Sequence, residues 1–155
     1  MSRFARFCEH LGVSARGLLR TVLRGDILKK GVTGGIFECR EPEVDQARLD
    51  AGELGITGPM FGSKMRAPSP GTPSSDLEQE ILARAGISQT SLSALGNKLE
   101  GTRRPLQLPL PDLEAEPVGP LVAADRELPP GLRLGFCLPA GSYATVLLQE
   151  LQGPR

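Results

Sequence analysis

Glycine and proline are the residues that most constrain what this chain can fold into. It has 19 glycines and 14 prolines among 155 residues, so more than a fifth of its positions favour turns or interrupt helices and strands. The length and the 39% hydrophobic content allow one ordinary domain or two small lobes. We therefore expect a loop-rich protein built from short elements.

Apolar periodicity between these breakers predicts the elements of the first third. Apolar residues at helical spacing predict a helix over residues 4–11. Short apolar runs next to glycines predict strands over residues 27–31 and 36–39. A proline that suits the first turn of a helix begins a predicted helix over residues 42–52.

The middle of the chain combines a predicted loop with a helix. Residues 54–66 contain three glycines and a proline and have no clean period, which is typical of an ordered loop. Ser75 and Glu78 have the spacing of a capping box, the arrangement that satisfies N–H groups at the start of a helix. We therefore predict a helix that begins at Ser75 and closes at Gly86.

The last third contains predicted strands, a connection and a final helix. Residues 106–108 alternate in polarity and are predicted to form a strand, and the proline-rich residues 109–130 are predicted to be a connection. Alternation over residues 132–138 predicts a half-buried strand. Ser142 is placed to cap a helix with an apolar face.

Charge and cysteine content restrict the function only weakly. The 18 basic and 18 acidic residues cancel, although the basic residues are concentrated near the start of the chain. Three scattered cysteines do not form a disulfide framework and favour a reducing cytoplasm. No apolar run approaches the roughly 20 residues needed to cross a bilayer. Cys8 and His10 have no second pair at ligand spacing, so we expect no metal site.

Six short segments occur in an order that is typical of one family. The most specific is Leu-Pro-Ala-Gly-Ser-Tyr-Ala-Thr at 138–145. The others are Gly-Asp-Ile-Leu-Lys-Lys at 25–30, Thr-Gly-Gly at 33–35, Gln-Ala-Arg-Leu at 46–49, Thr-Gly-Pro-Met-Phe-Gly at 57–62 and Arg-Arg-Pro-Leu at 103–106. They are spread along nearly the whole chain, and in this order they resemble the TruD family of RNA pseudouridine synthases.

The resemblance implies an α+β fold in two parts. TruD-like proteins have a synthase domain that is interrupted by a large inserted domain. Residues 1–97 resemble the later part of that insertion, with its short helices and small strands. Residues 98–155 resemble the return of the chain into the synthase domain, where they supply strands and a helix.

The resemblance also implies the isomerisation of a uridine in tRNA to pseudouridine, typically uridine thirteen in bacteria. The bond from ribose C1′ to uracil N1 breaks, the base turns within its pocket, and it is rejoined through C5. The reaction needs no cofactor and no metal, but it needs a carboxylate beside the ribose. The target must first leave its stack, at a cost of a few kcal/mol, and a base stacked on an aromatic ring recovers about 1–3 kcal/mol.

Five residues are candidates for contact with RNA. The resemblance places Tyr143 at the aromatic position of the last motif, in the turn that lines the uracil pocket; packing beneath its own helix is the alternative. Lys64, Arg66, Arg103 and Arg104 are candidates for phosphate contact, because cationic side chains near loops match phosphate oxygens. Solvated surface charge is the alternative for each of them.

The family's catalytic aspartate lies in a Gly-x-Lys-Asp motif that does not occur in these 155 residues. We therefore assign no catalytic residue and expect the chain to be a C-terminal portion that is inactive alone. The chain would then come from a truncated or frame-shifted gene, have a wrongly assigned start, or be one half of a split protein whose separate N-terminal half supplies the aspartate. The alternatives are a non-catalytic RNA-binding module derived from such an enzyme, and a small protein-interaction domain.

Overall fold

The computed structural model describes residues 17–123 and 126–152. The helix predicted over residues 4–11 and the Cys8–His10 pair lie outside these ranges. The chain divides into two compact units, one up to Gln107 and one from Leu108 onward. The family boundary expected after residue 97 stays a prediction.

The first unit is organised around a four-stranded antiparallel sheet. The strands are β1 (Ile27–Lys30), β2 (Ile36–Glu38), β3 (Leu54–Met60) and β4 (Thr102–Pro105), and their order in the sheet is β2-β1-β3-β4. The helices of this unit are short, as the density of glycine and proline predicts. The helices are α1 (Pro42–Asp50), α2 (Pro73–Arg84) and α3 (Gln89–Leu95), with 3-10 turns at Gly17–Arg20 and Gly96–Lys98.

The core of the first unit lies against the middle of this sheet. Leu28 of β1 is opposite both Phe37 of β2 and Ile56 of β3, so three apolar side chains meet across neighbouring strands. Leu28 is fully buried, and so is Ile27. The buried members of the cluster are Val22, Leu28, Cys39, Leu54 and Ile56.

Among the described residues, the second unit contains two pairs of antiparallel strands and one helix. Strands β5 (Glu114–Val118) and β8 (Gly131–Gly135) pair antiparallel, as do β6 (Leu121–Ala123) and β7 (Arg126–Leu128). Helix α4 follows at Ala144–Gln152. Where burial is described in this unit, at residues 108–120 and 129–152, no residue is buried. An isolated two-stranded sheet is at best marginally stable.

Several predictions from the sequence are confirmed. Mixed helices and antiparallel strands confirm the α+β class. Strands β1 and β2 and helix α1 occupy the predicted segments, and Gly86 follows the end of α2 with a φ of 68°.

No described helix is long and apolar enough to cross a membrane.

The prediction of a loop over residues 54–66 is wrong, because its first seven residues form β3. Pro59 is tolerated in this strand because β3 pairs with β1 over its first residues and with β4 over its last ones. Leu54, Gly55 and Ile56 pair with β1, whereas Pro59 lies in the stretch that pairs with β4. A residue without an N–H is tolerated where only one neighbour requires pairing.

Three other predicted boundaries are wrong. Helix α2 begins at Pro73, and its cap is Thr72, whose side chain accepts a hydrogen bond from the backbone N–H of Ser75. The strand predicted over residues 106–108 lies earlier, at β4. The predicted connection 109–130 contains β5, β6 and β7, because prolines at strand edges do not prevent pairing.

Candidate functional site

Tyr143 lies in the turn that precedes α4, and 66% of its surface is exposed. The turn is held by the backbone N–H of Ser142, which donates to the carbonyl of Pro139 at 3.1 Å. Gly141 has a φ of 85°, a left-handed conformation that favours glycine. The ring is therefore displayed to solvent and is not packed beneath its helix.

The apolar side of α4 is exposed together with this ring. Val146, Leu148 and Leu151 have 53%, 45% and 57% of their surface exposed, and Leu132 of β8 has 68%. Apolar side chains concentrated on one short element mark a surface that another polypeptide can cover.

Lys64 and Arg66 follow the end of β3, and both are exposed. The ammonium of Lys64 lies 2.6 Å from a carboxylate oxygen of Glu100, and both side chains of this pair are more than half exposed. A guanidinium nitrogen of Arg66 donates to the carbonyl of Ile36 at 2.8 Å. Exposed ion pairs contribute only about 0–1 kcal/mol, so a phosphate oxygen can compete for Lys64.

Arg103 and Arg104 are adjacent on β4 and have opposite surroundings. Neighbouring side chains of a strand point to opposite faces, and the side chain of Arg103 is 3% exposed, whereas Arg104 is exposed. The guanidinium of Arg103 forms a bidentate pair with Glu78 at 2.8 and 3.1 Å. Because this pairing directs the guanidinium into the protein, the prediction that Arg103 contacts a phosphate does not agree with the structure.

The buried pair belongs to a polar network that the sequence did not predict. Arg103 also donates to the carbonyl and the hydroxyl of Thr57, at 3.1 and 3.2 Å. Burial raises the pKa of Glu78, and the bond from Arg103 opposes that rise. Burial also raises the pKa of Asp26, which accepts a hydrogen bond from the backbone N–H of Leu23. The network fixes α2 against the sheet.

The described residues contain no group of three or more His, Cys, Asp or Glu that is arranged to hold a metal ion. Cys39 is buried, and burial raises the pKa of its thiol to about 12. A thiol that stays protonated is a poor nucleophile and a poor metal ligand. Its position in the apolar cluster therefore indicates a packing role.

A family model described as tRNA pseudouridine synthase D (TruD) matches residues 12–151. Proteins named tRNA pseudouridine synthase D from an Anaeromyxobacter species and from Thermus thermophilus are 39% and 38% identical to the chain, each over 88% of it. The fold is similar to the crystal structure of a provisionally assigned tRNA pseudouridine synthase D (TruD) from Methanosarcina mazei, with a TM-score of 0.64 and 22% identity over 94% of the chain.

The chain spans about a third of the length of these proteins. The matched part is 36% of the Anaeromyxobacter protein and 34% of the Thermus protein. It is 33% of the Methanosarcina chain.

Proposed function

Because the chain belongs to the TruD family, we propose that it takes part in converting uridine to pseudouridine in tRNA. The observation that carries the proposal is the exposed ring of Tyr143, within the segment that most resembles the family's last motif. A ring at a turn before a helix can stack on a base that has left its helix, a contact worth about 1–3 kcal/mol. Tyr143 would thus form one wall of the uracil pocket.

The exposed cations are proposed to hold the tRNA backbone. Lys64 and Arg66 lie beside the end of β3, and Arg104 lies on the exposed side of β4. Cationic side chains on phosphates position an RNA without selecting its sequence. Arg103 has a different role in this proposal, since it positions the strand that carries Arg104.

The attacking carboxylate is proposed to come from polypeptide outside these residues. The Gly-x-Lys-Asp segment that the family resemblance implies is absent from this sequence, and Asp26 is buried beside α2. The exposed apolar residues of α4 and Leu132 are the proposed contact for the polypeptide that carries the aspartate. We therefore expect no synthase activity from these 155 residues alone.

A cytoplasmic location is part of the same proposal. Cys39 and Cys137 are both free thiols, which suits a reducing compartment. The tRNA substrate that the family name implies would be available there.

Complementation tests the proposed function. A strain that lacks its own TruD enzyme would receive this chain alone, or this chain with the part of the Thermus thermophilus protein outside the matched segment, chosen to include its Gly-x-Lys-Asp motif. Pseudouridine in tRNA would be measured by chemical mapping. We expect product only with both polypeptides, and loss of product with Tyr143→Ala but not with Tyr143→Phe.

Two results would contradict this proposal in different ways. Product from the chain alone would show that the attacking group lies within these residues. Binding to tRNA without product, even when both polypeptides form a complex, would support a non-catalytic RNA-binding module instead.

A further inference from the structure

A cleft of about 840 Å³ lies in the first unit, between the segment that follows β3 and the helices α2 and α3. Its volume is within the range of about 300–1,000 Å³ that is usual for small-molecule sites. The walls are mostly apolar, and Phe61 supplies an aromatic ring. None of the exposed cations discussed above lines it.

The wall that carries Phe61 is held rigidly. A Cβ built on Gly62 would lie 2.3 Å from the backbone nitrogen of Gly101, so the two segments are in backbone contact. The N–H groups of Ser63 and Lys64 donate to carbonyls of the facing segment, each at 2.8 Å. Because this wall is fixed by backbone contacts, a ligand would meet a preformed surface and would lose less affinity to ordering.

The opposite wall offers polar groups beside apolar ones. Gln79 and Ser75 of α2 line the cleft, and the amide nitrogen of Gln79 donates to the hydroxyl of Ser75 at 3.1 Å. An amide can exchange hydrogen bonds with the edge of a nucleobase. Glu78 also lines the cleft, but its carboxylate is paired with Arg103 and adds little repulsion.

Two cationic residues lie next to the cleft along the chain. Lys64 and Arg66 alternate with the lining residues Ser63, Met65 and Ala67 but do not line the cleft themselves, and their side chains contact Glu100 and the carbonyl of Ile36. The exposed ion pair of Lys64 contributes only about 0–1 kcal/mol, so the phosphate of a nucleotide whose base stacks on Phe61 can compete for this cation.

We propose that this cleft binds one unstacked nucleobase of the tRNA, with its phosphate held by Lys64 and Arg66. This inference rests on the proposed tRNA function but adds a second base-binding site, separate from the uracil pocket assigned to Tyr143. The bound nucleotide would be one that is not modified. It would fix the position of the RNA on the first unit.

A tryptophan in the wall tests the contact directly. The chain has no tryptophan, so Phe61→Trp introduces a fluorophore without a background signal. We expect its emission to be quenched when tRNA is added to the full chain. Ala85→Trp is the matched control, because Ala85 is exposed at the end of α2 and does not line the cleft; its emission should stay unchanged.

Occlusion of the cleft gives a second measurement. Ala83 is exposed and lines the cleft, so Ala83→Trp fills the space with a large side chain. We expect it to weaken tRNA binding by about 5- to 150-fold, the loss expected for one stacked base. Ala85→Trp should bind as the parent does. Circular dichroism and urea unfolding would check that all variants fold.

The outcomes separate this inference from the proposed function. If the parent chain binds tRNA while the Phe61→Trp emission is unchanged and Ala83→Trp binds normally, the cleft does not hold a base, although the tRNA function stands. If the parent chain does not bind tRNA, the proposed function itself fails, and this inference with it. A change of emission only on adding the complementary TruD polypeptide would identify the cleft as a protein interface and overturn the inference.

Discussion

Replacing Arg103 with methionine tests the role that the structure gives to this residue. The side chains of Arg103 and Glu78 are 3% and 9% exposed, so the substitution leaves a buried carboxylate without its partner. Breaking such a pair costs about 3–5 kcal/mol, and the lost bonds to Thr57 act in the same direction. Since domains unfold with about 5–15 kcal/mol, Arg103→Met should remove a large part of the stability of the first unit.

The stability that Arg103→Met loses should depend strongly on pH. Burial raises the pKa of Glu78 above its ordinary value of 4.5, and Arg103 opposes that rise, so loss of Arg103 raises this pKa further. A raised pKa in the folded state means that stability is complete below the unfolded pKa and is lost as pH rises through the folded one. The deficit of Arg103→Met should therefore be smaller at about pH 4.5 than at about pH 8.

Urea unfolding followed by far-ultraviolet circular dichroism measures both effects. The double variant Arg103→Met, Glu78→Leu removes both charges and should recover much of the lost stability. Lys64→Met is the control, because it breaks an exposed pair and should cost less than about 1 kcal/mol. A loss below about 1 kcal/mol for Arg103→Met, or one that is equal at both pH values, would refute the structural role.

Three further predictions follow from individual residues. Arg104→Ala should reduce the slope of log affinity for tRNA against log salt by about 0.7–0.9, measured by filter binding. Gly62→Ala should destabilise the first unit by about 1–3 kcal/mol in urea unfolding, because its Cβ would lie 2.3 Å from backbone, whereas Gly55→Ala meets nothing within 4 Å and should cost much less. Iodoacetamide should label exposed Cys137 in the native chain and buried Cys39 only on unfolding, as checked by peptide mass spectrometry.

Local signals were sufficient for the elements bounded by glycine or proline. Pro42 occupies the first turn of α1, and Gly52 follows its end with a φ of 75°. These residues fix backbone angles by themselves, so their effect can be recognised without knowledge of the fold. The same reasoning failed for β3, because the tolerance of Pro59 depends on which neighbour the strand has at that point.

In the candidate site too, the surroundings of some residues depend on contacts that are distant in sequence. The strand is predicted over residues 106–108, so the sequence does not indicate that Arg103 and Arg104 lie on β4 with their side chains on opposite sides. Which of the two is buried is decided by Glu78, which lies 25 residues away along the chain. Tyr143 is a candidate because residues 138–145 resemble the family's last motif, and its role in the uracil pocket stays a prediction.

The two units differ in whether their proposed roles require another polypeptide. The first unit has its own buried cluster around Leu28, so its proposed contacts with tRNA do not require another polypeptide. The second unit exposes the apolar side of α4 beside Tyr143, and an exposed apolar surface of this kind favours association. Affinity for tRNA should therefore survive when the complementary polypeptide is absent, whereas product formation should not, because the proposed pocket wall and the attacking acid must be brought together by that association.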